Sequence, residues 1–125
     1  MKAGRSVVRS TANFRRNLEQ VEAFLASAEA PGAFEALLAR IAGEIIPNLE
    51  RFPELGADFL GRAPLSAEGQ AMFERAAALL GRGGSLRQLV TGDYILLYAV
   101  REDSVYLLSI RHHRQLSFDF TAHWP

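Results

Sequence analysis

The stretch from Tyr94 to Arg114 constrains this chain most. It is two apolar runs, Tyr94-Ile-Leu-Leu-Tyr-Ala-Val100 and Val105-Tyr-Leu-Leu-Ser-Ile110, separated by Arg101-Glu102-Asp103-Ser104. Aromatic and branched side chains suit a pleated surface, so the pattern predicts a β-hairpin. Strand alternation puts Tyr94, Leu96 and Tyr98 on one side and Ile95, Leu97 and Ala99 on the other. Both sides are apolar. The hairpin must therefore lie centrally, covered on both faces or offering one face to a partner. The apolar pattern stops at Arg111-His112-His113-Arg114, and this polar, cationic end of a buried strand is the first place to seek function.

The rest of the chain supplies the cover. Ser6-Val7-Val8-Arg9 is a short strand candidate, and Ser10 or Thr11 offers an N-cap. Phe14, Leu18, Val21, Leu25 and Ala28 then recur at helical spacing over residues 12–28. Ala30-Pro31-Gly32 breaks this helix. A second begins near Pro31 with Phe34, Leu37, Leu38, Ile41 and Ile45 as its stripe, and Pro47 should kink or end it. One more turn, Asn48 to Phe52, follows, and the pair makes an αα-hairpin. Residues 53–65 read as irregular, and Ser66 caps a third helix through about Leu80. Gly81-Arg82-Gly83-Gly84-Ser85 is a link; it lacks the lysine and hydroxyl of a phosphate-binding loop. Leu86 to Val90 is the next strand, turning at Thr91-Gly92-Asp93. Leu116, Phe118 and Phe120 alternate with polar residues as a strand continuation or edge, and Ala122 to Pro125, with Trp124, is a tail. The expected fold is α+β: an N-terminal strand and αα-hairpin on one face of an antiparallel C-terminal sheet, with an inserted third helix.

At 125 residues, 49% of them hydrophobic, the chain fits one domain spanning 1–125. It has no cysteine, which excludes disulfides and thiolate metal sites and suits a cytoplasmic setting. No apolar run reaches the roughly 20 residues that span a bilayer, and Met1 to Arg5 lacks a signal-peptide core. Net charge is zero, which argues against bulk nucleic-acid binding. Lys2 is the only lysine; arginine carries the remaining positive charge.

The order of elements, with Gly92-Asp93-Tyr94-Ile-Leu-Leu-Tyr98, Asp103-Ser-Val-Tyr-Leu-Leu-Ser-Ile-Arg-His-His-Arg114 and Leu49-Glu-Arg-Phe-Pro-Glu-Leu-Gly56, resembles the RelE/ParE superfamily of type II toxins. The resemblance covers about three quarters of the chain, leaving residues 57–85 as an insertion. It implies a plasmid-stabilisation type toxin neutralised by a co-encoded antitoxin. RelE-like members cut messenger RNA in the ribosome; ParE-like members inhibit DNA gyrase by binding. RelE-like members carry an arginine just after the first tyrosine of the Tyr-x-x-x-Tyr strand, where this chain has Ile95. Leu86 and Gln88 stand where they carry lysines, and Phe118 or Phe120 replaces a late tyrosine. Arg114 matches a family arginine. These departures favour a non-enzymatic gyrase inhibitor. The alternatives are a ribosome-dependent endoribonuclease using His112 or His113 with Arg111 and Arg114, and a non-toxic orphan module of the same fold.

Alternation limits what the cationic cluster can do. On a regular strand His112 and His113 point to opposite faces, so without a bulge they cannot share one metal; no cofactor or metal is expected. Arg111 would share a face with His113, and His112 with Arg114. Target contact by Arg114, Arg111, His112 and Arg87 stands against the plainer reading of a hydrogen-bonded structural histidine and solvated arginines. Tyr94, Tyr98 and Tyr106 read as core. No Gly-x-Ser-x-Gly elbow is present, nor paired carboxylates with a plausible shared cleft; Glu102-Asp103 reads as a turn. The hairpin's second face, or a groove between helices and sheet, should accept an antitoxin segment or a second copy of the chain.

Overall fold

A computed structural model describes residues 6–58 and 84–114. In order they form β1 (Val7–Ser10), α1 (Ala12–Ser27), α2 (Ala33–Arg40), a π-helical turn (Ile41–Ile45), α3 (Ile46–Arg51), β2 (Ala57–Asp58), β3 (Ser85–Thr91), β4 (Tyr94–Arg101) and β5 (Ser104–His112). The strands make one sheet in the order β1-β5-β4-β3-β2. The expected hairpin is its centre: β4 pairs antiparallel with β5 on one side and β3 on the other. β1 joins the sheet parallel to β5, making the sheet mixed. Both outer strands are short, so little unpaired backbone is offered at the edges. The helix expected over 66–80, the alternation over 116–120 and Trp124 lie outside the described residues.

Residues 53–58 are more ordered than the irregular segment that Pro53 and Gly56 suggest. Ala57 and Asp58 pair with Gln88 and Arg87. The Tyr98 hydroxyl, fully buried, accepts from the Gly56 amide at 2.7 Å and donates to the Pro53 carbonyl at 2.8 Å. A Cβ on Gly56 would lie 2.7 Å from the Gln88 carbonyl oxygen. Only glycine lets the chain pass so close to the sheet.

Leu37, Ile41, Ile45 and Leu49 are all buried, at four-residue steps. In a regular α-helix of 3.6 residues per turn, four-residue steps drift around the axis. The wider π turn over Ile41–Ile45 offsets that drift and holds these side chains on the sheet. It also answers Pro47. The Ile46 amide bonds back to Ile41, and Pro47 falls in the first turn of α3, where its missing donor costs little. The helix therefore continues through the proline.

α1 lies along β5. Its buried face is Asn13, Phe14, Asn17, Val21 and Leu25; Ala28, expected in the stripe, is exposed. The two asparagines meet an irregularity in β5. Tyr98 pairs with Leu107 but Leu97 pairs with Ser109, so Leu108 is an extra residue, a β-bulge. Asn13 Nδ2 donates to the Leu108 carbonyl at 3.0 Å. Asn17 Oδ1 accepts from the Ile110 amide at 3.1 Å and from Asn13 Nδ2 at 3.4 Å. Just before the bulge, Thr11 Oγ1 donates to the Leu107 carbonyl at 2.9 Å and also caps α1 by accepting from the Phe14 amide at 3.2 Å.

The main core lies between the helices and one face of the sheet: Leu96, Tyr98, Val105, Leu107 and Ile110 against Phe14, Val21, Leu25 and the α2–α3 stripe. Of the two arrangements the sequence allows for the opposite face, covered or offered to a partner, its centre takes the covered one. Leu86, Leu97, Ala99 and Ser109 at its centre are all 1–2% exposed; Val90, at its margin, is 63% exposed.

Replacing Asn17 with leucine keeps its size but strands the buried Ile110 amide. Leaving such a donor unsatisfied costs about 1–3 kcal/mol. Chemical denaturation of Asn17→Leu should show a loss of that size, and a midpoint unchanged from the parent chain would refute the asparagine–bulge linkage.

Candidate functional site

The cationic end of β5 faces a pocket of about 570 Å³. Phe24, Leu25 and Ala28 from the end of α1, with Ala30 and Ala33, form its apolar wall; Asp93, Tyr94, His112 and Arg114 form its polar wall. The α1–α2 turn brings the apolar wall into place through left-handed residues at Glu29 and Gly32. Gly92 does the same at the β3–β4 turn, where the Arg40 guanidinium occupies the space a Cβ would take.

His112 is central and only 7% exposed. Its ring packs edge-on to Tyr94 (5.1 Å between centroids), tilted against Phe24 (5.2 Å) and stacked on His113 (4.9 Å). The bulge at Leu108 explains why His112 points inward. Without the extra residue, the alternation that buries Val105 and Leu107 would have turned Ser109 and Arg111 toward the helices. With it, Ile110 and His112 pair with Leu96 and Tyr94 on the helix side, while Ser109 and Arg111 pair with Leu97 and Ile95 on the other. The expected separation of Arg111 from His112 therefore holds in the structure.

Hydrogen bonds fix the two imidazole tautomers. A backbone N–H can only donate, and the Arg114 amide points at His112 Nδ1 from 3.1 Å. His112 Nδ1 therefore keeps its lone pair and the proton sits on Nε2. A carbonyl can only accept, and the Asp93 carbonyl lies 3.2 Å from His113 Nδ1, so there Nδ1 carries the proton. The same carbonyl accepts from the His113 amide at 2.7 Å, and the Asp93 carboxylate stands 3.8 Å from His113 Nδ1. Burial, with His113 and Arg114 adding to it and Asp93 opposing, lowers the His112 pKa below the usual imidazole value. Burial and Asp93 raise the Tyr94 pKa, against the pull of Arg40, so its hydroxyl stays protonated at neutral pH.

The remaining candidates divide. The side chains of Arg114 and His113 are exposed at the pocket rim. Arg111 is half-buried on the opposite face, and burial lowers its pKa. Arg87 lies four residues before the end of β3, is half-buried and pairs with Tyr98, not with the end of β4 that pairs with His112. Its guanidinium donates to the Gly56 carbonyl at 2.7 Å, the Glu54 carbonyl at 3.4 Å and Ser85 Oγ at 3.3 Å. It binds the 53–58 segment to the sheet. Among the described residues no group of three or more histidines and carboxylates is placed to hold a metal, and no helix is long and apolar enough to cross a membrane. Phe24, Arg40 and Asp93 join the site unannounced by the sequence, which marks Asp93 only as part of a turn.

A protein-family model described as "ParE toxin of type II toxin-antitoxin system, parDE" matches residues 8–117. The chain belongs to the ParE toxin family. Among solved structures, this ParE-family chain is similar to one from the toxin–antitoxin complex RelBE2 of Mycobacterium tuberculosis. That likeness is 20% identical, covers 89% of this chain and 94% of that one, and has a TM-score of 0.48. No curated protein sequence matches.

The contrast between Arg87 and Arg114 is measurable. Arg87→Ala abandons three hydrogen bonds and should lower stability by about 1–3 kcal/mol. Arg114→Ala removes an exposed side chain and should cost under about 0.5 kcal/mol. Thermal melts of both variants check this, and equal losses would erase the distinction between scaffold and rim.

Proposed function

We propose that this ParE-family toxin acts by binding DNA gyrase through the rim formed by Arg114 and His113, without cutting RNA, and that an antitoxin holds it in check. The observation that carries this reading is the placement of the polar groups on β5. RNA cleavage through the 2′-hydroxyl needs an acid, a base and a cation converging on one phosphate. Arg111 and His112 are divided between the two faces of the sheet. His112 Nδ1 is already occupied by the Arg114 amide. Ile95, in the position where RNA-cutting relatives carry an arginine, pairs with Arg111 on the face away from His112. What remains exposed is a polar rim of Arg114, His113 and Asp93, with Arg114 as its cation. The ribosome-dependent nuclease is the reading that an active His113 would support.

The pocket between α1 and the strand ends is the groove we assign to an antitoxin side chain; its apolar wall of Phe24, Leu25 and Ala28 supports this. Ala28 lines it and is itself exposed, so a larger residue there is compatible with folding.

Expression of the chain alone should arrest bacterial growth, and the purified protein should inhibit gyrase supercoiling without codon-phased mRNA cleavage. Arg114→Ala should weaken inhibition, and Arg111→Ala should weaken it less. Phased mRNA cuts abolished by His113→Ala would reverse the assignment; normal growth at verified expression would favour the non-toxic module. Ala28→Trp should fill the pocket, leaving toxicity intact while its antitoxin no longer rescues growth. Full rescue would move the antitoxin elsewhere.

A further inference from the structure

We infer that His112 is a proton-operated latch on Arg114: the neutral ring holds the chain where it leaves the sheet, and protonation of that ring releases it. The inference rests on which atom accepts. The Arg114 amide donates to His112 Nδ1 at 3.1 Å. When Nδ1 takes up a proton its lone pair is gone, and two N–H groups face each other. The bond is then lost and replaced by repulsion. No side-chain rearrangement within the same rotamer restores it, because the ring is held by Phe24 and Tyr94 at about 5 Å on two sides and by His113 on a third.

The neighbouring histidine behaves oppositely. His113 Nδ1 faces an acceptor, the Asp93 carbonyl at 3.2 Å, with the Asp93 carboxylate at 3.8 Å. Protonating His113 keeps its bond. Two adjacent, stacked imidazoles thus differ in what a proton does to them: one is indifferent, the other loses its partner.

Among the described residues, these charged and titratable groups surround His112. Asp93 on the β3–β4 turn favours its protonation, and Arg114 and His113 oppose it. Tyr94 on β4 is neutral, and the Arg40 guanidinium at the end of α2 stands beyond it against Gly92. α1 contributes Phe24 and Leu25, and the α1–α2 turn contributes Ala28 and Ala30, none of them charged; the exposed Glu29 carboxylate lies in that same turn. Burial is the largest influence on His112 and favours the neutral ring.

The direction of the pH effect follows. The folded state binds a proton at His112 less readily than the unfolded chain, whose imidazole titrates near 6.5. The contribution of His112 to stability is therefore complete above about pH 6.5 and is lost as pH falls below it. Arg114 loses its backbone anchor over the acidic end of the same window. The consequence for gyrase contact rests on the proposed reading of the rim. The latch itself is read in the free protein, so either can fail without the other.

The experiment is an NMR titration of the full-length, 15N-labelled chain from pH 7.5 to 5. At pH 7.5, long-range imidazole spectra should show His112 as the Nε2–H tautomer and His113 as Nδ1–H. On acidification the Arg114 amide proton should shift upfield with the same midpoint as the His112 ring, below that of a free imidazole. His112→Asn places an amide oxygen where Nδ1 stood and does not titrate; its Arg114 amide should lose the step. His113→Asn should keep it. The latch is refuted by an Nδ1–H tautomer at His112, or by an Arg114 amide that stays fixed while His112 titrates. A step that persists unchanged in His112→Asn refutes it too. The first two observations need no variant, so a poorly folded substitution leaves the test intact.

Discussion

Two asparagine side chains on α1 support the architecture of β5. A β-bulge adds one residue to one strand of a ladder and leaves backbone groups without cross-strand partners. Buried, each such group costs about 1–3 kcal/mol unless satisfied. Asn13 supplies a donor to the Leu108 carbonyl and Asn17 an acceptor to the Ile110 amide. Thr11 secures Leu107 on the other side of the irregularity. The first two turns of α1 thus have an apolar face interrupted by amides, and the amides fix α1 in register against β5 in a way that apolar packing alone would not.

The position of the extra residue decides the chemistry at the strand's end. Side chains on a strand alternate, so one inserted residue exchanges the two faces for everything that follows. Val105 and Leu107 face the helices before the bulge; Ile110 and His112 do so after it. The polar pair that shares the strand's other face, Ser109 and Arg111, is moved away from the helices by the same step. A histidine becomes the buried member of the cationic cluster; among the described residues the rings of Phe24, Tyr94 and His113 and the Arg114 amide hold it. Arg114 and His113 are left at the rim, where a cation reaches a partner at little desolvation cost.

The far end of the sheet is secured by a different device. Tyr98 and Arg87 both reach the segment after α3, Tyr98 through its hydroxyl and Arg87 through its guanidinium, and Gly56 lets that segment approach the Gln88 carbonyl. The helical stripe that covers this half depends on the π turn before Pro47. A four-residue repeat of aliphatic side chains would otherwise rotate off the sheet. The same widened turn places the proline where its lack of a donor is tolerated, so one local feature meets two sequence constraints.

The sequence by itself determined the class of fold and the central hairpin, because period-two apolar runs and helical stripes report burial directly. It also carried the family resemblance and singled out Arg111 to Arg114 as candidates, of which His112 and Arg114 line the pocket. It placed Arg111 and His112 on opposite faces, since alternation is local. Only the tertiary structure decided which of the two faces the helices, because that depends on a bulge whose stabilising partners, Asn13 and Asn17, lie more than 90 residues away. Those asparagines read as ordinary helix polar positions until the strand they serve is in place. Phe24, Arg40 and Asp93 join the site through the α1–α2 and β3–β4 turns, whose left-handed residues are compatible with many directions of the chain. Arg87 reads as solvated until a turn 31 residues earlier in the chain presents its carbonyl. The surroundings of His112 and His113 are likewise tertiary: identical side chains, adjacent in sequence, meet opposite partners, one an amide donor and the other a carbonyl acceptor.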